Sequence, residues 1–406
     1  MGSDWKVTTL DSIAFFKNGK VLNSSFYIDN GKHPVWGANG QIARTNMVLN
    51  DHPVVVIGRV GAYCGSVHAV HEPNWVTDNA ITATAKPGND VLFLYYLLKS
   101  LKLEHSAIGS AQPLVTQSGL KIISCYVPPF PEQRAIAHIL GALDDKIELN
   151  RRMNETLEAM ALAIFKSWFV DFAPVHAKAE GRDPGLPKEI ADLFPDSFED
   201  SELGMIPKGW EVLPLHRIAS LIAKTVYPNT EPKKTWTHYS IPAFDEGKRA
   251  VLQTGEDIKS GKYIVPYNSV LASKLNPQFP RVWLPDVEEH DVAICSTEFM
   301  PFVPMNDNWR SFLYELMKSQ AVQDAIIGRV TGSTGSRQRV KPKEISALPI
   351  IKPPDTLIDT YCSMVGCFHK KKLANIRASC SLVSVRDTLI PKLISGKIRV
   401  KGCGEI

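Results

Sequence analysis

The sequence predicts an α+β protein in which two tandem globular units are separated by two long helices. Three observations predict it. Residues 131–172 place their apolar and small side chains at alternating steps of four and three. A second segment, 357–394, repeats that pattern, and landmarks outside the helices recur in the same order in both halves of the chain. Repetition on this scale indicates one ancestral unit, a globular domain followed by a long helix, present twice.

The first long segment predicts a single helix. Steps of four and three give the 3.5-residue repeat of a helix that buries one seam against another helix. Pro131, Glu132 and Gln133 suit a first helical turn, where proline loses no hydrogen bond and acidic charge faces the helix dipole. Such a helix would be roughly 60 Å long, too long for an ordinary domain core. It therefore needs a helical partner.

The partner lies 225 residues further along the chain. Identical residues recur at that spacing: Gly141 and Gly366, Lys146 and Lys371, Asn150 and Asn375, Arg152 and Arg377, Leu157 and Leu382. We expect the two helices to form a coiled coil with each other. The second seam is weaker, since Lys372, Ser379 and Arg386 stand where apolar residues are expected. Asn150, Asn154 and Asn375 fall in the seams, where buried polar pairs can fix register. The two recurring glycines permit either close helix approach or local bending.

The repeat extends beyond the helices. WKVTTLDSIA at 5–14 recurs as WEVLPLHRIA at 210–219, and FLYYLLKS at 93–100 recurs as FLYELMKS at 312–319. A proline-rich joint precedes each long helix. We therefore predict five segments, listed in chain order: a first globular domain at 1–130, a central helix at 131–172, a linker at 173–208, a second globular domain at 209–352, and a distal helix with a C-terminal tail at 353–406.

Composition bounds the class of protein. The chain has 406 residues, of which 44% are hydrophobic and 22% charged, so disorder is not expected. A net charge of +4 permits a nucleic-acid partner but does not require one. The seven cysteines show no C-x-x-C spacing and indicate reduced cytosolic thiols. The sequence shows no long apolar run and no signal sequence, so we expect a cytoplasmic protein with no membrane partner.

The search for catalysis gives no candidate. VPPF at 127–130 resembles the N/D-P-P-F/Y loop of amino-methyltransferases, but Val127 cannot bond a target amine, and a rigid joint before a helix is favoured. GEDIKSGKY at 255–263 has a spacer too long for a P-loop. Asp144 and Asp145 lack a third acidic ligand and suggest a solvated helix face. We expect no catalytic residue, no metal site and no cofactor bound by this chain.

Nucleic-acid contacts are better supported. Residues 328–343 carry five basic residues and no acidic residue, and residues 258–285 likewise contain no glutamate or aspartate. Glycine- and serine-rich loops bring backbone N–H groups near phosphates, while Arg, Asn and Gln can contact base edges. Solvated basic loops remain the alternative. The candidate DNA-contacting residues are Asn39, Arg59, Ser110 and Gln112 in the first domain, and Lys274, Arg281, Ser333, Arg337, Gln338, Arg339 and Lys341 in the second.

These segments resemble a known family. PPFPEQRAIAHILGALDDKIELNRRMNETLEAMALAIFKSWFVDF, LFPDSFEDSELGMIPKGWEV, GSTGSRQRVKP and DTLIPKLISGKI are similar to the specificity subunits of type I restriction-modification enzymes, and the likeness covers nearly the whole chain. The resemblance implies two target-recognition domains held apart by an antiparallel helix pair in a pseudo-two-fold repeat.

The resemblance also implies partners. A subunit of this kind is not itself an enzyme. It binds double-stranded DNA at a bipartite sequence and positions two methyltransferase subunits there, with the restriction and motor subunits joining through them. S-adenosylmethionine, ATP and Mg are then expected on the partner subunits. Two alternatives remain open at this point: a free-standing DNA adenine methyltransferase, and a coiled-coil scaffold without DNA affinity.

Overall fold

The computed structural model describes residues 4–106, 114–289, 292–330 and 338–400. The chain divides into two compact units, one formed by Met1–Arg151 together with Ile376–Ile406, and the other by Arg152–Asn375. We call them unit 1 and unit 2. Each unit holds one globular domain and part of both long helices, because the division cuts both helices.

The first domain is built from short strands and few helices. Its strands are β1 (Lys6–Thr9), β2 (Ala14–Asn18), β3 (His33–Gly37), β4 (Gly40–Thr45), β5 (Val54–Gly58), β6 (Val67–Val70), β7 (Trp75–Val76), β8 (Ala80–Ala85) and β9 (Ser124–Val127). Its helices are α1 (Leu10–Ile13), α2 (Val91–Ser100) and α3 (Gln117–Lys121), with 3-10 turns at Ser24–Phe26, Gly61–Tyr63 and Leu103–Ser106.

The first long helix and the segment after it come next. The long helix is α4 (Phe130–Phe169). The segment 173–208, predicted to be a linker, is folded into α5 (Ala173–Ala179), α6 (Lys188–Ala191) and a hairpin of β10 (Phe198–Ser201) and β11 (Gly204–Pro207). Its glycines mark turns between these pieces, since Gly181, Gly185 and Gly204 all have positive φ.

The second domain repeats the pattern with additional strands. Its strands are β12 (Glu211–Pro214), β13 (Ala219–Leu221), β14 (Thr225–Val226), β15 (Thr235–Tyr239), β16 (Val251–Thr254), β17 (Lys262–Ile264), β18 (Val270–Ser273), β19 (Val282–Trp283), β20 (Ala293–Cys295), β21 (Phe299–Pro304) and β22 (Pro349–Lys352). Its helices are α7 (Ile241–Asp245), α8 (Arg310–Lys318), α9 (Gln320–Ile327) and α10 (Pro342–Ser346), with 3-10 turns at Leu215–Arg217, Pro228–Thr230, Gly255–Asp257 and Asp307–Trp309. The second long helix is α11 (Asp355–Ile394).

Sheet order confirms the internal repeat. Each domain has a four-stranded sheet, in the order β2-β8-β5-β6 in the first and β13-β21-β18-β19 in the second. Each has a two-stranded ladder that joins its first and last strands, β1 with β9 and β12 with β22. Each also has a second sheet with one parallel pair, β3 with β7 and β15 with β20. The long helices α4 and α11 begin and end at the same 225-residue spacing that the sequence predicted.

In unit 1 the core lies between the four-stranded sheet, α2 and the long helices. Side chains of the sheet and of α2 pack against Leu140 of α4 and against Ile390 and Leu393 of α11. Asp90 caps α2, because its Oδ1 accepts from the backbone N–H of Phe93 at 2.8 Å. The domain therefore shares one core with the ends of both long helices.

The joint before α4 confirms the interpretation of VPPF as a structural element. The carbonyl of Pro129 accepts hydrogen bonds from the backbone N–H groups of Glu132 and Gln133, at 2.9 and 3.0 Å. The Gln133 amide also donates to the Pro128 carbonyl at 3.0 Å. These bonds fix the first helical turn at the end of β9.

The polar seam residues of α11 have polar partners on α4. In unit 1, Asn150 Nδ2 donates to Ser379 Oγ at 3.1 Å, and Arg386 Nη1 donates to Asp144 Oδ1 at 2.6 Å. Residue numbers rise on one helix as they fall on the other, so the helices pair antiparallel within the unit. Asp144 also accepts from the Tyr96 hydroxyl at 2.7 Å. The expectation of a solvated face was therefore wrong for Asp144, because α2 and α11 supply its partners.

Unit 2 has its own antiparallel part of the helix pair. Asn375 Nδ2 donates to Asn154 Oδ1 at 2.9 Å, and the Lys372 ammonium forms a short ion pair with Glu158. The Tyr314 hydroxyl of α8 donates to Glu158 at 3.1 Å. Burial alone would raise the pKa of Glu158, but the positive charge of Lys372 lowers it to about 2.

A second buried polar group lies beside this pair. His369 Nδ1 is 2.9 Å from Ser311 Oγ, and His369 Nε2 is 3.1 Å from Glu315 Oε1. Burial lowers the pKa of His369, and the Glu315 carboxylate opposes that effect only in part. Lys318 completes the group with an ion pair to Glu315 at 3.2 Å. Helix α8 of the second domain is thus joined to α11 by hydrogen bonds between side chains.

The two recurring glycines face the helices of their own domains, and one of them allows a close helix approach. A Cβ at Gly141 would lie 3.0 Å from the Leu92 side chain of α2, and one at Gly366 would lie 3.8 Å from Ser311 Oγ of α8. Leu92 and Ser311 occupy the same place in the two copies of the domain. Gly141 therefore allows a close approach of α2 to α4, whereas a Cβ at Gly366 would make only an ordinary contact with α8.

Candidate nucleic-acid interface

The candidate interface of the first domain is a polar cleft of about 370 Å³. Its lining residues are Asn18, Arg59, Thr116, Gln117, Ser118 and Lys121. Asn18 ends β2, Arg59 follows β5, and the other four lie at or in α3. We call this set the first-domain cluster.

Backbone pairing creates the first-domain cluster. The N–H of Val115 donates to the carbonyl of Arg59 at 3.0 Å, and Leu114 forms a β-bridge with Val60. This pairing places the start of α3 beside the turn after β5. Thr116 then caps α3, since its Oγ1 accepts from the N–H of Gly119 at 3.1 Å.

The two cations of this cluster are held differently. Arg59 is half-buried, and its Nη1 donates to the backbone carbonyl of Asp78 at 3.4 Å. Lys121 is exposed, with its ammonium 3.7 Å from the Asp11 carboxylate. Such an exposed pair contributes little to stability and is readily exchanged for another anion. The cluster can therefore bind a phosphate backbone or a base edge.

The equivalent place in the second domain is more basic. The N–H of Val340 donates to the carbonyl of Lys274 at 3.2 Å, and Arg339 forms a β-bridge with Leu275. Lys274 thus corresponds to Arg59, and the segment leading into α10 corresponds to the one leading into α3. Lys341 and Lys343 lie there and are exposed. We call Lys274, Lys341 and Lys343 the second-domain cluster.

The structure places several candidates of the sequence analysis at these clusters. Arg59, Lys274 and Lys341 belong to them, and Gln338 lies beside the second cluster, where its carbonyl accepts from the N–H of Asn276 at 2.9 Å. Asn39 lies exposed in the turn between β3 and β4. Four candidates lie outside the described residues: Ser110, Gln112, Ser333 and Arg337.

The turn that carries Asn39 is joined to the hairpin that carries Arg59. Ser66 Oγ of the hairpin donates to the carbonyl of Ala38 at 2.6 Å. Gly58 has no room for a side chain there, because a Cβ would lie 2.2 Å from the carbonyl oxygen of Tyr63 and 3.0 Å from that of Ala38. The structure therefore brings two first-domain candidates onto neighbouring loops.

Two candidate arginines are paired with carboxylates. Arg339 donates to Glu298, at 2.7 Å from Nη2 to Oε1, and Arg281 donates to Asp245 at 2.7 and 2.9 Å. The side chain of Arg281 is only 13% exposed, whereas that of Arg339 is 48% exposed. Arg339 is thus better placed than Arg281 to exchange its carboxylate for a DNA phosphate.

Sequence reasoning missed residues on both short helices. Gln117 and Lys121 of α3, and Lys343 of α10, were not among the candidates. The 225-residue spacing was the signal that could have found them, because it pairs Ser118 with Lys343 and so marks the same helical surface twice.

Two classes of site are not found in the part of the chain that the structure describes. Its His, Cys, Asp and Glu residues form no group of three or more that could hold a metal ion. Among those same residues, no helix combines the length and the apolar character needed to cross a membrane.

Comparisons with known proteins give matches to a single family. Residues 2–159 match the family model described as the type I restriction modification DNA specificity domain. The chain is 26% identical to the type I restriction enzyme HindI specificity subunit of Haemophilus influenzae, over 98% of this chain and 100% of that relative. It is 27% identical to the type I restriction enzyme MjaIX specificity subunit of Methanocaldococcus jannaschii, over 76% of this chain and 69% of that protein.

A solved structure has a similar fold. The type I restriction-modification system S subunit of M. genitalium covers 96% of both chains with a TM-score of 0.60, at 18% sequence identity. This likeness confirms the predicted fold of two mixed domains with long helices. Neither alternative function, the free-standing methyltransferase or the scaffold without DNA affinity, finds support in these comparisons.

Proposed function

We propose that this chain, which is a specificity subunit of the type I restriction-modification family, recognises a bipartite DNA sequence with one half assigned to each domain. The observation that carries the proposal is the recurrence of a cationic, polar cluster at the same place in both domains. Tandem domains in one chain can each contact a major groove, as the two subunits of a dimer do.

The two halves of the target differ in sequence. The first-domain cluster combines two cations with the carboxamides of Asn18 and Gln117, side chains that suit base edges such as that of adenine. The second-domain cluster is formed by lysines, which favour phosphates. Equivalent surfaces with unlike side chains support an asymmetric target.

The long helices serve as the spacer between the half-sites and as the docking surface for two methyltransferase subunits. Equivalent domain–helix junctions, at Phe130 and Asp355, support two equivalent docking surfaces on one chain. The chain itself is not catalytic and acts in the cytoplasm. S-adenosylmethionine, ATP and Mg are bound by the methyltransferase, restriction and motor subunits that assemble with it.

Selection of bound fragments from random double-stranded DNA tests this function. We expect the full-length chain to enrich two fixed sequences separated by an unspecified gap of constant length. Failure to enrich any sequence, alone or with its methyltransferase partner, would contradict DNA recognition. Methyl transfer from labelled S-adenosylmethionine by the isolated chain would contradict the non-catalytic role. The native mass of the assembled complex tests the docking, and one methyltransferase per chain would be the contrary result.

A further inference from the structure

Both domains carry an exposed aromatic ring on the hairpin beside their basic cluster. In the first domain the hairpin of β5 and β6 has its tip at residues 59–66, and Tyr63 on that tip is 53% exposed. In the second domain the hairpin of β18 and β19 has its tip at residues 274–281, and Phe279 there is 58% exposed. Strand register makes the two tips equivalent, since Ile57 pairs with Val67 as Ala272 pairs with Val282.

Hydrogen bonds fix the shape of the first tip. The N–H of Cys64 donates to the carbonyl of Gly61 at 3.0 Å, and that of Ser66 donates to the carbonyl of Tyr63 at 3.1 Å. Gly65 has a φ of +87°, and a side chain there would collide with the backbone of Glu104. The ring is therefore presented by an ordered loop, and its backbone entropy is already lost before any partner binds.

The second tip is ordered by different residues. Prolines flank Phe279 closely on both sides, at positions 277 and 280. The N–H of Phe279 donates to the carbonyl of Asn276 at 2.9 Å, and Asn276 in turn donates to the carbonyl of Gln338. Two unrelated sequences thus hold an aromatic ring at the same hairpin.

Each ring shares its loop with a cation of the candidate interface. The first residue of the tip is Arg59 in the first domain and Lys274 in the second. The carbonyl of each accepts the hydrogen bond that positions the short helix of its cluster, α3 or α10. Among the described residues, neither Tyr63 nor Phe279 packs against another aromatic ring or a cation. A single exposed aromatic side chain needs no explanation, but two at equivalent tips beside basic clusters indicate a shared role.

We infer that Tyr63 and Phe279 are wedge residues, each of which inserts its ring beside a base of its half-site and partly unstacks one base step. Apolar side chains next to cations act in this way in proteins that deform DNA. The ring gains stacking with the base it exposes, while the adjacent cation neutralises the phosphate that the deformation brings near. This inference rests on the proposed DNA recognition and adds that binding deforms the duplex.

Substitution of the rings tests the inference on the full chain with its selected site. Tyr63→Ala and Phe279→Ala should each weaken binding roughly ten- to a hundred-fold, the range expected for the loss of one stacked base. Tyr63→Phe and Phe279→Tyr should bind within a few-fold of the native chain, because an aromatic ring is kept. Tyr126→Ala removes an exposed aromatic of β9 and serves as the matched control. Thermal unfolding of every variant shows whether weaker binding comes from loss of the fold or from removal of the ring.

Base unstacking gives a readout that affinity alone does not. 2-Aminopurine placed along each half-site should brighten at one step when the native chain binds, and the signal at the first half-site should vanish with Tyr63→Ala. A mismatch at that step should tighten binding of the native chain, because unstacking is then cheaper, and should help the alanine variant less.

The outcomes distinguish this inference from the function it rests on. A native chain that selects no DNA would contradict the proposed function itself. A native chain that binds its site, with alanine variants that bind and brighten the probe equally well, would overturn the wedge alone. Alanine variants that bind DNA normally but no longer assemble with a methyltransferase would also overturn it and assign the rings to a protein contact.

Discussion

Replacing Lys372 with methionine should destabilise unit 2, because it leaves a carboxylate without its cation. The side chain of Glu158 is 26% exposed, and after the substitution the hydroxyl of Tyr314 remains as a neutral donor. The pKa of Glu158 is lowered to about 2 from an ordinary value of 4.5, a difference equivalent to about 3 kcal/mol. Removal of one member of a buried pair costs a similar amount, about 3–5 kcal/mol. We therefore expect amide exchange over 355–375 to be at least about a hundred-fold faster.

Two comparisons isolate the ion pair. Lys371→Met removes an exposed lysine from the next position and should leave exchange unchanged within a few-fold. Glu158→Gln combined with Lys372→Met removes both charges and should recover most of the stability, because a neutral pair carries no unpaired charge. A double variant as unstable as Lys372→Met alone, or a single variant that costs less than about 1 kcal/mol, would refute the reasoning.

The pH dependence of the same pair has a definite sign. Because the folded-state pKa of Glu158 lies below the unfolded value, its stabilisation is complete above about pH 4.5 and is lost as the pH falls towards 2. The native chain should therefore lose stability in that range by more than the Glu158→Gln variant. Urea midpoints measured at several pH values check this, and parallel curves for the two proteins would contradict it.

Three further predictions concern a buried histidine, the candidate DNA-contacting cations and the length of the long helices. Burial lowers the pKa of His369, so the stability of unit 2 should fall as the pH drops below about 6.5, and His369→Gln should flatten that dependence in urea unfolding. Arg59→Ala and Lys274→Ala should each weaken DNA binding and reduce its salt slope by about 0.9, with unchanged slopes as the contrary result. Insertion of four residues after Arg151 and four after Asn375 lengthens both helices by about 6 Å, and the selected gap should then grow by about two base pairs. A constant gap would exclude the helices as the spacer.

The long helices could be located from the sequence because they depend on local periodicity. Their recurrence at a spacing of 225 residues is seen in the structure, although the first helix ends at Phe169, three residues before the predicted end at 172. The polar residues of the second seam, Lys372 and Arg386, looked like defects because periodicity examines one helix at a time. Their partners Glu158 and Asp144 become visible only when the antiparallel pairing is known.

The candidate interface was predicted less completely, for a related reason. Stretches without acidic residues were taken as accessible to DNA, but Glu298 and Asp245 reach Arg339 and Arg281 from other parts of the fold. A contiguous window of sequence cannot reveal a carboxylate that the fold brings in from elsewhere. Arg59 was found because it lies in a glycine-flanked turn, and Lys274 because its stretch is basic and contains no acidic residue, and both signals are local.

The closure of unit 1 by both ends of the chain has a consequence for synthesis on the ribosome. Its core includes Ile390, Leu393 and Ile394 from the end of α11, and Arg399 forms a bidentate ion pair with Glu132. Unit 2 is one continuous stretch, Arg152–Asn375, and can fold as soon as it emerges. The first domain emerges earlier, but its core is incomplete until the end of α11 has been synthesised. At 5–20 residues per second, synthesis of the intervening residues takes roughly 10–50 s. During that interval its apolar surface is open to chaperones and to aggregation, so the domain made first is the last one completed.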